Sequence, residues 1–127
     1  MAILLDTSVL VDAFTGDKRS GPALRRAEDG GERLILSSLV LYEWLRGPRG
    51  PEELAAQEEL FPRDSARVFG PAEAARAAEL YRAIPGARGR EVDIAIGACA
   101  LVWDARLWTL NLDDFRDIPG LVVERPG

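Results

Sequence analysis

The stretch Ile3-Leu4-Leu5-Asp6-Thr7-Ser8-Val9-Leu10-Val11-Asp12 decides the fold class. Ile3, Leu4 and Leu5 form a short continuous apolar run, which suits a strand buried on both faces. Thr7 and Ser8 are good helix N-caps, and Val9, Leu10, Val11 and Phe14 supply the apolar side of a first helical turn or two. Asp6 therefore falls at the carboxyl end of a central strand, where the chain turns into a helix. In open α/β sheets that edge is where ligands bind. A carboxylate there also complements the amino end of the next helix. Asp6 taken alone leaves both roles open.

The remainder of the chain repeats the theme. Pro22 to about Asp29 reads as a helix ended by Gly30-Gly31, and Arg33-Leu34-Ile35-Leu36 as a second strand. Ser37 and Ser38 offer an N-cap for a helix running to Arg46, apolar on nearly every side, in which Glu43 is the only acid. Pro51–Leu60 is an acidic helix. Ala66-Arg67-Val68-Phe69 reads as a third strand, followed by a helix from Pro71 to about Ile84 with Ala74, Ala77, Ala78, Tyr81 and Ile84 at packing intervals. The segment from Glu91 to Val102 is the most apolar helix, carries Asp93 in its first turn, and has Gly97, Ala98 and Ala100 for close approach of a neighbour. Leu107–Leu110 and Leu121–Glu124 complete the strands. Short buried strands alternating with helices indicate an α/β fold with a mainly parallel central sheet covered on both sides.

Composition narrows the chemistry. A chain of 127 residues, 47% hydrophobic and 29% charged, suits a single domain spanning residues 1–127. No apolar run reaches membrane-spanning length, and Met1-Ala2-Ile3 lacks the basic start of a signal peptide, so a cytoplasmic location with no membrane partner is expected. The single cysteine, Cys99, sits in an apolar run and reads as a small buried hydrophobe. There is no histidine. That excludes Ser-His-Asp and Cys-His catalysis and histidine-ligated zinc. The net charge of −5 excludes a generally basic nucleic-acid surface. It leaves room for local phosphate contacts, because all but one of the 16 basic residues are arginine.

Four acids occupy comparable places. Asp6 follows the first strand, Glu43 lies in the helix after the second, Asp93 opens the most buried helix, and Asp114 follows the late strand, three residues after Asn111. In a parallel sheet all four can reach the carboxyl edge near the middle. Such a cluster repels itself unless a cation is bound, and hard cations such as Mg²⁺ take oxygen ligands.

Leu5-Asp6-Thr7-Ser8, Tyr42-Glu43-Trp44-Leu45, Asp93-Ile94-Ala95-Ile96-Gly97-Ala98 and Thr109-Leu110-Asn111-Leu112-Asp113-Asp114-Phe115, in this order, resemble the PIN-domain family and, within it, the VapC-type ribonuclease toxins of toxin–antitoxin pairs. The resemblance implies a three-layer α/β/α sandwich and metal-dependent endonucleolytic cleavage of RNA with Mg²⁺ or Mn²⁺. It implies that Asp6 and Asp93 are the principal metal ligands, and that Glu43 is a ligand directly or through water and positions the attacking water. Asp114 or Asn111 completes the site, some relatives having an acid where Asn111 stands. Thr7, Ser8 and Thr109 are supporting contacts. It also implies a homodimer and a VapB-like antitoxin lying along an apolar groove, for which Leu10, Phe14, Leu41, Trp44 and Leu45 are candidates. Arg19, Arg46, Arg49, Arg88 and Arg90 are candidates for an RNA path.

Two rivals differ in class. A phosphoacceptor domain modified on Asp6 would need a lysine after a late strand or, in dehalogenase-like enzymes, an aspartate two residues on. The only lysine is Lys18, and Ser8 holds the second place. The other rival is a PIN-like fold that is catalytically silent and serves as a binding module.

Overall fold

The computed structural model describes residues 2–127; Met1 lies outside them. Strand β1 (Ala2–Leu5) is central, and its Ile3, Leu4 and Leu5 are fully buried. It pairs in parallel with β2 (Arg33–Ile35) on one side and with β3 (Arg106–Trp108) on the other. Strand β4 (Val123–Glu124) adds in parallel to β3, for the order β2-β1-β3-β4. A strand with neighbours on both edges and helices on both faces has no solvent side, which is why β1 is uninterruptedly apolar rather than alternating.

The helices are α1 (Thr7–Phe14), α2 (Gly21–Asp29), α3 (Ser38–Arg46), α4 (Pro51–Leu60), α5 (Pro71–Ala83) and α6 (Glu91–Val102). The chain leaves β1 through α1 and α2 and enters β2 on one flank. It then returns through α3 to α6 to β3 on the other flank. Parallel crossovers are right-handed, so reversing the direction of travel puts the two sets of connections on opposite faces. The three-layer α/β/α arrangement follows from that reversal. It also makes the carboxyl ends of β1 and β3 a topological switch point, where a crevice opens above the sheet.

Local signals place the helices that carry the site. Ser37 accepts a hydrogen bond from the Val40 N–H at 3.1 Å and caps α3. The α5–α6 pair makes the largest helix–helix contact of the molecule. Gly97 serves the close approach its sequence suggested: a Cβ built there would stand 2.6 Å from Cδ1 of Ile118, which is buried against α6.

Three expectations need correction. Ala66–Phe69 is not a strand. One parallel bridge joins Arg67 to Ser37, through Arg67 N–H to Leu36 O and Ser38 N–H to Arg67 O, both 2.8 Å. Val68 beside it is 71% exposed, so nothing apolar is gained by extending the pairing. The N-cap of α1 is Asp6 by position, with Thr7 already inside the helix. The packed face of α5 runs through Glu73, Ala77, Leu80 and on to Ile84, leaving Ala74, Ala78 and Tyr81 exposed. Alanine methyls bury too little area to orient a helix against the pull of Leu80 and Ile84.

Candidate active site

Asp6 is buried at the switch point. Its side chain makes no capping hydrogen bond to α1, so the helix-cap role is not what holds it. Its Oδ2 instead accepts the hydroxyls of Ser8 and Thr109, each at 2.8 Å. The same hydroxyl oxygens accept from backbone: Leu110 N–H to Ser8 Oγ and Asn111 N–H to Thr109 Oγ1, both 3.0 Å. A hydroxyl has one proton to give and two lone pairs to receive. Ser8 and Thr109 use both capacities, stitching the loop after β3 to the turn after β1 through the Asp6 carboxylate. The Asp6 N–H to Trp108 O bond of 2.9 Å closes the seam.

Glu43 comes from α3 and is mostly buried, with 18% of its side chain exposed. Its Oε1 accepts the Thr7 hydroxyl at 2.6 Å, and Arg46 one turn on stands 3.6 Å from Oε2. Asp93, in the first turn of α6, is partly buried. Burial, then the negative charges of Asp6, Asp114 and Glu43, push its carboxyl up to about 6, against the pull of Arg90.

Asp6, Thr7, Ser8, Glu43, Asp93 and Asn111 line one open cleft of about 650 Å³. Asp114 is not among its lining residues. It sits exposed in a 3-10 turn (Leu112–Asp114) and borders a neighbouring depression with Asn111, Arg116 and Arg125. Its charge still reaches Asp93. Thr109 lies beneath the cleft floor, fully buried. One wall residue, Asp12, was not singled out from sequence. It accepts the Ser20 hydroxyl, faces Arg19 at 3.7 Å and lines the cleft. Its position one turn after Ser8, on the same face of α1, is the signal that would have found it.

The donor set is all oxygen, which suits a hard cation. Among the described residues no three acidic groups stand close enough to chelate one ion together. A cation held here would therefore keep much of its water and take one or two of these carboxylates as direct ligands, which Mg²⁺ tolerates.

Residues 3–121 match the model of the PIN domain, and the chain belongs to that family. It is also 36% identical to ribonuclease VapC19 of Mycobacterium tuberculosis, over 93% of this chain and 95% of that protein. Among solved structures it resembles DNA-bound VapBC from Salmonella typhimurium, with a TM-score of 0.80 at 22% identity, over 100% of this chain and 99% of that one. It likewise resembles VapBC2 from Rickettsia felis bound to a promoter DNA fragment, with a TM-score of 0.74 at 22% identity and 98% of each chain covered. These likenesses bear out both the fold class and the kinship with VapC proteins read from the four motifs.

Proposed function

We propose that this chain is a metal-dependent endoribonuclease, the toxin of a VapBC-type pair, built as a single catalytic domain over residues 1–127. The observation that carries the reading is the cleft: three carboxylates from three separate segments, Asp6, Glu43 and Asp93, line it together, where burial and then the charges of neighbouring acids push the Asp93 carboxyl up to about 6. A fold tolerates such a cluster when a cation relieves it. The named activity of the M. tuberculosis relative supports RNA as the substrate.

Asp6 and Asp93 would be the principal holders of Mg²⁺ or Mn²⁺, with Glu43, and Asp114 or Asn111, completing the shell. When bound, the ion supplies positive charge for the phosphate and lowers the pKa of water. Asp6 is preorganised for this, because Oδ2 is fixed by two hydroxyls while Oδ1 is left to the cleft. Glu43 is divided in the same way. Thr7 holds Oε1, and Oε2, whose charged neighbour is Arg46 at 3.6 Å, would accept a proton from the attacking water and orient it for in-line attack on phosphorus. Arg46 and Arg19 at the rim would meet RNA phosphates.

A groove of about 310 Å³ lies beside the cleft and shares Thr15 and Gly16 with it. Ala13, Phe14, Leu24, Ala56 and Leu60 give it an apolar floor. We assign it to a VapB-like antitoxin segment, as the VapBC complexes among the structural neighbours support. Of the groove residues suggested by sequence, Leu10 and Trp44 are fully buried core, Leu41 and Leu45 are partly buried against it, and Phe14 lines the groove. A homodimer and a cytoplasmic site of action complete the proposal. No helix among the described residues is long and apolar enough to cross a membrane.

The test is cleavage of RNA by protein freed of antitoxin. Mg²⁺ or Mn²⁺ should support it, excess EDTA should abolish it, and Asp6→Asn or Asp93→Asn should each reduce it at least ~100-fold, the scale of losing a preorganised charge at a reacting centre. Undiminished cleavage in both variants or in EDTA sinks the carboxylate–metal mechanism. Metal-replete protein that binds RNA and cleaves none would make the chain a binding module.

A further inference from the structure

Asp114 is the one acid of the four that lies outside the cleft lining, yet it is not loosely placed. The turn that carries it is seated from below by Phe115 and Ile118, both buried, with Ile118 packed onto Gly97 of α6. From the side it is held by Arg90, the residue immediately before α6 and three positions before Asp93. Nη2 of Arg90 donates to the Asp114 carbonyl at 2.9 Å and to Asp117 Oδ1 at 2.7 Å, and Nη1 donates to Asp117 Oδ2 at 2.8 Å. The Arg90 backbone is tied in turn, its N–H to Ala87 O and its carbonyl accepting the Ile94 N–H, both 2.9 Å. The planar guanidinium fork fixes direction as well as distance.

We infer that Arg90 is a positioning residue of the metal site: by gripping the Asp114 carbonyl and the Asp117 carboxylate, it sets where the Asp114 side chain stands relative to Asp93. The inference rests on the metal-nuclease reading above. It makes a prediction opposite in sign to the plain electrostatic one. A guanidinium close to a cation site repels the cation, so if Arg90 acted only through its charge, removing it would tighten metal binding. If it acts by holding Asp114 in place, removing it loosens metal binding.

The experiment titrates full-length protein with Mn²⁺, followed by electron paramagnetic resonance of the free ion, alongside thermal melts and RNA cleavage as a function of Mn²⁺. Arg90→Met is expected to weaken Mn²⁺ binding about tenfold, to raise the Mn²⁺ needed for half-maximal cleavage by a similar factor, and to leave Tm within a few degrees. Arg90→Lys keeps the charge and loses the fork, so it too should weaken binding. Asp117→Asn, which alters the exposed end of the same grip, should do so to a smaller degree. Mn²⁺ affinity in Arg90→Met equal to or tighter than wild type overturns the inference. Should that variant not fold, wild-type affinity in both Arg90→Lys and Asp117→Asn overturns it equally. Wild-type protein that takes up no Mn²⁺ is a different failure, overturning the metal-nuclease reading itself before any variant is compared.

Discussion

Glu73 and Asp93 occupy the same place in two helices that pack together. Each is the third residue of its helix, Glu73 in α5 and Asp93 in α6. The helix dipole favours a carboxylate at either position, yet their states are opposite. Glu73 Oε1 reaches back to the Gly70 N–H at 2.9 Å, and Oε2 accepts Trp103 Nε1 at 2.7 Å. Its own backbone N–H first, then the Trp103 and Gly70 hydrogen bonds and nearby Arg67, hold its carboxyl below the ordinary carboxylate range against the pull of burial. Asp93 is pushed up to about 6 by burial and by three other acids. Position in the helix is therefore not what decides. The surroundings decide: donors on both oxygens keep Glu73 charged, whereas burial and neighbouring acids push Asp93 toward its protonated form.

The contrast can be broken at either end. The largest stability effect is expected from Glu73→Gln, which faces the Trp103 N–H with an amide that cannot satisfy both of its neighbours. It should cost about 2 kcal/mol in urea denaturation at neutral pH, the scale of hydrogen bonds to a charged group. Because Glu73 titrates below its unfolded value, its contribution is present above that value and lost as pH falls through the lowered one. The difference between wild type and Glu73→Gln should therefore shrink toward zero in strong acid. An undiminished difference there would assign the loss to packing.

Asp93→Asn should act with the opposite sign. With a folded value of about 6 against an ordinary 3.8, the folded state binds more protons between those limits, so this group lowers stability as pH rises through the window and does so fully above 6. In metal-free protein the asparagine variant should be more stable than wild type at pH 7.5, by about 1 kcal/mol given solvent screening in an open cleft. The gain should fade near pH 4. Added Mn²⁺ should raise the Tm of wild type more than that of the variant. A variant less stable than wild type at pH 7.5 without metal would mean that Asp93 is not held against repulsion.

The smallest effect sharpens the comparison. Thr7→Val removes the 2.6 Å bond to Glu43 Oε1 and keeps the shape. It should change stability by no more than about 1 kcal/mol. Its cleavage rate should fall several-fold, since Glu43 loses the contact that orients it. A rate unchanged within error would show that Arg46 and α3 alone position Glu43.

Much of this was legible from sequence because it depends on element type and order. The apolar run Ile3–Leu5 ending in Asp6 placed a carboxylate at a strand end, and the acids of otherwise apolar helices, Glu43 and Asp93, stood out because an apolar helix has few places for a charge. The candidate site was less legible after β3. Asn111, Asp113 and Asp114 lie in or beside a single 3-10 turn, where the side-chain directions depend on how Phe115 and Ile118 seat against α6 and how Arg90 grips from the side. Nothing in the local spacing encodes those tertiary contacts. The same limit explains α5: its many alanines look like a packing stripe, but the orientation was set by Leu80, Ile84 and the hydrogen bonds of Glu73. In the stretch Ala66–Phe69 only Phe69 packs partly against the core while Val68 faces solvent, so the pairing stops at one bridge.

The division of labour within the Asp6 carboxylate has a consequence for asparagine at that position. Ser8 and Thr109 both present protons to one oxygen. An amide there has one oxygen and one nitrogen, and only the oxygen can receive those protons. The side chain is therefore obliged to turn its oxygen inward and its NH₂ toward the cleft. The seam between β1 and β3 survives, while the point that offered a lone pair to the cleft now offers hydrogens. Asp6→Asn thus reverses the polarity of the cleft at a single atom and leaves the shape of its surroundings intact.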